Sequence, residues 1–134
     1  MATPYQDRPL TIEPAMNVGD KEYFDAAGEG KLLVKKCNDC GKYHHYPRAL
    51  CPFCFSSNVA WQTARGTGTI YSCSVTRRAG PIPYCIAYVK LDEGPTMLTN
   101  IVDCDLDTVK IGQKVKLAFK KTAAGVSLPM FTPA

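Results

Sequence analysis

The sequence lacks the signatures of most catalytic and membrane-spanning classes. Its 134 residues include only two histidines and one tryptophan, and no apolar run is long enough to cross a bilayer. We find no nucleophile elbow, phosphate-binding loop, dinucleotide fingerprint or pair of carboxylates arranged for acid–base chemistry. Nothing at the beginning of the chain resembles a secretory signal, which predicts a cytoplasmic protein with reduced thiols.

An excess of one charge is also missing. The net charge is +4, from 16 basic and 12 acidic residues. This balance permits an anionic ligand, but it is thin for a nucleic-acid-binding surface. The length fits one domain or two small lobes. Residues 1–19 contain Pro4, Pro9 and Pro14, which break any long helix, so this segment is predicted to be an extended arm.

Cysteine is the residue whose spacing carries the most information. Two C-x-x-C pairs, Cys37 with Cys40 and Cys51 with Cys54, are separated by ten residues. Each pair places two thiols on one tight turn, and the loop between them returns the second turn opposite the first. The spacing therefore predicts a four-thiolate zinc site, which is structural because no ligand position remains for water. An iron centre, a disulfide and a redox dithiol are the alternatives.

The remaining histidines and cysteines give little indication of an active site. His44 and His45 lie between the two cysteine pairs, and a complete four-thiolate site does not need them, so we expect packed or exposed rings, with metal ligation as the alternative. Cys73 and Cys85 fall in predicted strands as small core residues. Cys104 stands between two aspartates, whose charges disfavour a thiolate. No catalytic residue is predicted.

Apolar and polar residues alternate through much of the second half of the chain. The alternation predicts strands over 61–64, 69–77, 84–91, 96–102, 114–121 and 126–131. In the second of these strands, Tyr71, Cys73 and Val75 are expected to face the core. One helical turn, capped by Asp105 or Asp107, separates the last two predicted strands from those before them.

These elements predict a mainly β fold. A short helix over 21–29, capped by Asp20, and a strand over 31–36 precede the first cysteine pair. Five strands with a helical turn between the third and the fourth favour a C-terminal OB-fold barrel over a generic antiparallel sandwich. The predicted organisation is an N-terminal arm and short helix (1–30), a rubredoxin-like zinc ribbon (31–58) and a five-stranded OB-fold (59–134).

OB barrels bind extended ligands across the second and third strands. Aromatic and basic side chains in this region offer stacking faces and phosphate contacts: Arg65, Tyr71, Arg77, Arg78, Tyr84, Tyr88 and Lys90. Such a set suits the adenine and phosphates of a CoA thioester, and it equally suits a single-stranded nucleic acid. The third interpretation is that the tyrosines pack and the basic side chains are simply solvated.

Short motifs in both halves of the chain match those of a known family. The matching stretches are Cys37-x-x-Cys40-Gly41, Pro47-Arg48, Cys51-Pro52-x-Cys54, Tyr84-x-Ile86-Ala87-x-Val89-x-Leu91-Asp92-Glu93-Gly94-Pro95, Leu98-Thr99-Asn100 and Ile111-Gly112-x-x-Val115. Through them the chain resembles the acyl-CoA-associated zinc-ribbon and OB-fold proteins known as domain of unknown function thirty-five. The resemblance covers residues 23–131.

The resemblance implies a small accessory subunit that is not catalytic alone. Relatives of this kind pair with thiolase-like or other acyl-CoA enzymes, whose own cysteine is catalytic, and they brace the complex or shape the acyl-CoA site. We therefore expect a hetero-oligomer with a thiolase-like partner, a structural Zn²⁺, and contact with a CoA thioester. We expect no membrane partner, and a single-stranded nucleic-acid-binding OB module is the alternative function.

Overall fold

The computed structural model describes residues 6–78 and 80–134. One helix and ten strands are present in this part of the chain: α1 (Lys21–Gly28), β1 (Leu33–Cys37), β2 (Tyr43–His44), β3 (Val59–Thr63), β4 (Thr67–Thr76), β5 (Tyr84–Leu91), β6 (Thr96–Ile101), β7 (Lys114–Leu117), β8 (Lys120–Lys121), β9 (Ser127–Leu128) and β10 (Phe131–Pro133). The mainly β prediction is confirmed. Among the described residues, no helix has the length and apolar character needed to span a bilayer.

Helix α1 begins after Asp20, as predicted, although the cap works differently. The Asp20 carboxylate accepts a hydrogen bond from the Asn17 backbone N–H (2.9 Å) rather than from the first helical turn. It therefore braces the chain that enters the helix. Tyr23 and Ala27, one turn apart, form the buried face, and this face packs the helix onto the rest of the protein.

The ribbon contains a three-stranded antiparallel sheet in the order β2-β1-β3. Strand β3 pairs with β1 along its whole length, with Lys35 opposite Trp61. The strand predicted over 61–64 therefore lies in the ribbon sheet, hydrogen-bonded to the strand that leads into the first cysteine pair. Periodicity alone shows that such a segment is a strand, but it does not show which neighbour the strand joins.

The second half of the chain forms a closed five-stranded barrel in the order β10-β6-β5-β4-β7. All neighbours in it are antiparallel except β10 and β6, which are parallel at Phe131 and Ile101. A 3₁₀ turn over Leu106–Thr108 lies between the third and fourth barrel strands, and the Asp105 carboxylate caps it by accepting from the Asp107 N–H (3.0 Å). The OB-fold prediction is confirmed.

The last two predicted strands are each divided in the structure. The segment 114–121 separates into β7 and β8, and the segment 126–131 separates into β9 and β10. Strands β8 and β9 leave the barrel and pair with each other as a small hairpin. The predictions of continuous strands over these segments were wrong, because the alternation continues through residues 118 and 119 although the chain changes its partner there.

A bulge in β4 overturns one predicted side-chain orientation. The pairing of β4 with β5 shifts register between Ile70 and Ser72, so Tyr71 is the extra residue. The Tyr71 side chain is consequently exposed rather than directed to the core. Cys73 and Val75, which follow the bulge, pack against the core as predicted.

One apolar core joins the ribbon to the barrel. Phe131, Ile70 and Leu91 are among the largest side chains that are fully buried within the barrel, and Leu32 and Val34 beside the ribbon belong to the same buried cluster. Gly68 allows the barrel strands to approach closely, because a Cβ atom there would lie 2.6 Å from the Lys90 carbonyl oxygen.

The N-terminal arm lies along the barrel, over the β8–β9 hairpin. The Leu10 carbonyl accepts from the Ala123 N–H (2.9 Å), and Lys120 forms an ion pair with Asp7 (3.0 Å). The Arg8 guanidinium stacks over the ring of Tyr84 at 4.0 Å. Residues 6–19 contain no helix or strand and lie against this chain through these contacts, whereas residues 1–5 of the predicted arm lie outside the described residues.

Candidate functional site

The first metal-binding turn is built directly at the end of β1. Two backbone bonds close it: the Cys37 N–H donates to Lys42 O (2.9 Å) and the Gly41 N–H donates to Cys37 O (2.9 Å). Within the turn, the Cys40 N–H donates to the Cys37 sulfur (3.4 Å). Gly41 has φ +76°, the left-handed conformation that glycine adopts without steric cost.

The second turn repeats the two backbone bonds of the first, and its N–H···S bond comes from a different position. The Cys51 N–H donates to Ser56 O (2.9 Å), and the Phe55 N–H donates to Cys51 O (2.9 Å). The Phe53 N–H donates to the Cys51 sulfur (3.4 Å). Phe55 occupies the position of Gly41 and has φ 64°, a conformation that is costly for a residue with a Cβ atom.

The four sulfurs converge on one centre. All lie within 4.8 Å of one another, with Cys37 Sγ to Cys54 Sγ at 3.5 Å and Cys40 Sγ to Cys51 Sγ at 3.6 Å. Zinc–sulfur bonds of 2.3 Å in a tetrahedron require sulfurs about 3.8 Å apart. The residues therefore fit Zn²⁺, and because all four ligand positions are protein thiolates, the zinc is structural. Metal ligation of this kind supplies folding energy to a small lobe.

Polar contacts tie the two turns together beside the metal. Asp39, in the first turn, accepts hydrogen bonds from the Asn58 side chain (3.1 Å) and from the Ser56 hydroxyl, both beyond the second turn. These bonds, led by the one from Ser56, lower the pKa of the Asp39 carboxyl. On another side of the ribbon, the Lys42 ammonium lies over the Phe53 ring at 4.9 Å.

The two histidines serve packing rather than the metal cluster. His44 Nε2 accepts from the Arg48 N–H (3.3 Å), and a 2.8 Å hydrogen bond joins His45 Nε2 to Tyr23 Oη. The His45 ring also contacts the rings of Tyr23 and Tyr46. Burial lowers the pKa of His45 to about 4, so this ring is neutral at pH 7. His45 thus fastens helix α1 to the ribbon.

Two of the cysteines outside the ribbon, Cys85 and Cys104, are poor nucleophiles. Burial raises the pKa of the Cys85 thiol to about 11. Burial, followed by the charges of Asp105 and Asp103, raises the pKa of Cys104. A nucleophilic cysteine needs a stabilised thiolate and a base beside it. Neither condition is met here.

The predicted ligand-binding residues are spread over separate surfaces. Arg77 is paired with Asp107 (2.5 Å), Tyr84 is covered by Arg8, and Tyr88 lies on the outside of the barrel sheet. The other members of the set are exposed: Arg65 before β4, Tyr71 at the bulge, Arg78 after β4 and Lys90 near the end of β5. Tyr84 and Tyr88 line different cavities.

The cavity that Tyr84 lines lies between the N-terminal arm and the barrel. It has a volume of about 220 Å³, with Leu10, Cys85 and Met130 among the apolar residues that line it and Lys121 among the charged ones. The proline-rich composition of the arm gave no indication that it would form one wall of a cavity.

A row of apolar side chains on the outside of β4, β5 and β6 was missed at the level of the sequence. Tyr88 pairs with Ser72 on one side and with Leu98 on the other, and Ile86 pairs with Ser74. We call this surface the outer face, and it consists of Tyr71, Ser72, Ser74, Ile86, Tyr88 and Leu98. The alternation that places Tyr88 outside also places Ile86 outside, so the signal was present in the sequence.

Family comparisons match both halves of the chain. Residues 24–60 match the model described as "ChsH2, rubredoxin-like zinc ribbon domain". Residues 61–120 match the model described as "ChsH2, C-terminal OB-fold domain". The two matches cover the metal-binding turns and most of the barrel.

Two curated relatives extend the comparison. A "DUF35 domain-containing scaffold protein" of Methanothermobacter thermautotrophicus is 35% identical over 96 residues, which cover 67% of this chain and 72% of that protein. A "Probable enoyl-CoA hydratase alpha subunit" of Thermomonospora curvata is 34% identical over 98% of this chain. The present chain spans only 43% of the length of the Thermomonospora protein.

Solved structures agree with these matches. A chain of the "Ltp2-ChsH2(DUF35) aldolase" is 34% identical and superposes with a TM-score of 0.78, over 90% of this chain and 98% of that one. A protein of unknown function from the DUF35 family of Sulfolobus solfataricus shares the fold, with a TM-score of 0.62 at 16% identity over 85% and 84% of the two chains. A complete four-cysteine ribbon, a closed OB barrel and these matches show that the chain belongs to the DUF35 family.

Proposed function

We propose that the chain is a non-catalytic accessory subunit, which binds an acyl-CoA-processing enzyme and supports its assembly and its acyl-CoA site. The observation that carries this proposal is the similarity to a chain of the Ltp2-ChsH2(DUF35) aldolase, which extends over nearly all of that chain. The name of the Thermomonospora relative includes an enzyme that acts on an acyl-CoA, and the Methanothermobacter relative is named as a scaffold protein.

The chemistry of the chain supports a role without catalysis of its own. The zinc has four thiolate ligands and so offers no position at which a substrate or water binds. The thiols of Cys85 and Cys104 are held in their protonated form at pH 7 by their raised pKa values. His45 is buried in an aromatic cluster and bonded to Tyr23.

Within this proposal, the partner is a thiolase-like enzyme that forms or breaks a carbon–carbon bond in an acyl-CoA. The motif resemblance described above supports this choice. An aldolase, the activity in the name of one similar structure, also acts on carbon–carbon bonds, whereas a hydratase adds water to a double bond.

A single-stranded nucleic acid is less well supported as a ligand. Such binding needs aromatic rings interleaved with cations along one groove. Here Tyr84 is occupied by Arg8, and Arg77 is paired with Asp107, so neither side chain is available to a nucleic acid. The modest net charge of +4 agrees with this judgement.

Native purification of the tagged chain from its source cells tests the proposal. We expect a stoichiometric acyl-CoA enzyme to co-elute in size-exclusion chromatography, identified by mass spectrometry. The complex should catalyse thiolysis of a 3-ketoacyl-CoA if the partner is thiolase-like. A co-eluting hydratase or aldolase would reject the thiolase assignment and leave the accessory role intact. Elution of the chain alone, or with RNA, would reject the accessory role.

A further inference from the structure

The outer face carries four large apolar side chains that are exposed. The exposed fractions are 67% for Tyr71, 41% for Ile86, 48% for Tyr88 and 57% for Leu98. These side chains lie on three neighbouring strands: Tyr88 and Leu98 are cross-strand partners, Ile86 lies two residues from Tyr88 along β5, and Tyr71 stands at the bulge of β4. Contiguous exposed apolar patches of this kind mark interaction sites in folded proteins.

The outer face contains a cleft whose shape suits a side chain inserted from another protein. Ser72 and Ser74 are small, and between them and the larger side chains of Ile86, Tyr88 and Leu98 there is a cleft of about 190 Å³. Pockets for cofactors and drug-sized ligands are typically about 300–1,000 Å³. The cleft is too small for CoA or a nucleotide, and it has room for one large apolar side chain.

The charges around the outer face select the kind of partner. None of its six residues is charged, but cations lie at both ends: Lys90 follows Tyr88 on β5, and Arg78 follows the opposite end of β4. Two copies of this chain that met through the face would bring their cations together. The face is therefore not complementary to itself, and it suits an apolar patch bordered by carboxylates on a different protein.

We propose that the outer face is the surface through which the partner enzyme docks, with one apolar side chain of the partner inserted into the cleft and acidic groups of the partner near Lys90 and Arg78. This inference rests on the proposed function, because it names the surface that the accessory subunit uses. Tyr88 and Leu98, adjacent across β5 and β6, form the centre of the interface.

Two matched charge insertions test the inference in the purified complex. Leu98→Asp places a carboxylate in the centre of the outer face, and Ile111→Asp places one at a site outside the face that is 70% exposed. Central interface residues typically carry most of the binding energy. We expect Leu98→Asp to weaken the Kd by about 30-fold or more and Ile111→Asp to leave it within about threefold. Circular dichroism and zinc content should be unchanged in both variants.

Milder variants keep the test informative if the charge disturbs the strand. Tyr88→Ala should weaken binding by about tenfold or more, and Lys90→Glu should slow association and reduce its dependence on salt.

If the wild-type complex forms and every variant binds equally well, the docking surface is wrong while the proposed function stands. If the wild type has no acyl-CoA enzyme as partner, the proposed function itself fails. Self-association through Leu98, or Tyr88-dependent binding of a single-stranded oligonucleotide, would also overturn the inference.

Discussion

The ribbon and the barrel are both β structures, and they are held together by different means. In the ribbon, the two metal-binding turns surround four sulfurs and contain few large buried side chains. In the barrel, five strands close on themselves around Phe131, Ile70, Leu91 and their neighbours. The comparison shows that a metal replaces an apolar core where the chain is too short to build one.

The part of the molecule stabilised by metal and the part stabilised by an apolar core are not sharply separated. Leu32 and Val34, on and beside the first ribbon strand, belong to the same buried cluster as the barrel core. The ribbon is therefore metal-dependent at its tip and apolar at its base. Trp61 on β3 is the one tryptophan of the sequence, and the Lys35 ammonium lies over its ring at 4.6 Å, so its fluorescence reports on the ribbon sheet and on the core against which the ring packs.

Removing the metal should produce the largest difference in stability between the ribbon and the barrel. Structural zinc typically contributes about 10–16 kcal/mol of binding free energy, so Cys51→Ser or a strong chelator should unfold the ribbon tip. We expect loss of the bound zinc and a changed Trp61 emission, with β5 amides still protected from hydrogen exchange. Cys104→Ser, at a thiol outside the metal cluster, should keep its zinc. Simultaneous loss of β5 protection would show that the two regions fold as one unit.

A cavity created in the barrel core should lower the stability of the barrel and leave zinc binding in the ribbon unchanged. Phe131→Ala removes a fully buried ring where β10 meets both β6 and β7. We expect a loss of about 3–5 kcal/mol in the free energy of unfolding, measured by urea denaturation, with zinc content unchanged. Phe53→Ala, at an exposed ring in the ribbon, should cost about 0.5 kcal/mol or less. Equal costs for the two variants would remove the distinction between the regions.

Acid should weaken the contact between α1 and the ribbon through His45. Its pKa is about 4 in the fold and about 6.5 in an unfolded chain. The unfolded state therefore binds the proton first, and stability that is present above pH 6.5 is lost as the pH falls toward 4. Between pH 7 and pH 5 this amounts to about 2 kcal/mol. His45→Gln should reduce the pH dependence of the Tm, whereas an unchanged slope would assign that dependence to other groups.

The smallest expected effects come from exchanging the residues at the left-handed positions of the two metal-binding turns. Gly41 and Phe55 occupy equivalent left-handed positions, so Phe55→Gly should raise the stability of the ribbon by about 0.5–1 kcal/mol. Gly41→Ala, the reverse change, should lower it by about 1 kcal/mol. Competition with a chelator measures both variants through zinc affinity. If Phe55→Gly weakens zinc binding, then the exposed Phe55 ring contributes contacts that outweigh its backbone cost.

The sequence predicted the metal cluster and the barrel because their signals are local. The ligand spacing lies within a single loop, and the strands from Tyr84 to Leu91 and from Thr96 to Ile101 alternate cleanly. The boundary of β5 was predicted to the residue. In these segments, the alternation along the strand alone decides which side chains face the core and which face outward.

The features that were missed depend on partners distant in the sequence. The bulge that exposes Tyr71 exists only because β4 pairs with β5. The break after Leu117 arises because β8 finds β9 instead of a barrel strand. The contact of Arg8 with Tyr84 joins an arm without periodicity to the barrel. The local sequence around each of these residues does not indicate the distant segment with which it pairs.

The position of β10 has a consequence for how the chain acquires its structure during synthesis. All four zinc ligands lie between Cys37 and Cys54, so the ribbon tip can bind metal while the barrel strands are still being made. Phe131–Pro133, by contrast, is the last barrel strand to be translated, and it alone bridges β6 and β7. Until it emerges, β7, β4, β5 and β6 form an open sheet with an uncovered apolar surface. We therefore expect the nascent chain to need a chaperone in the interval between zinc uptake and barrel closure.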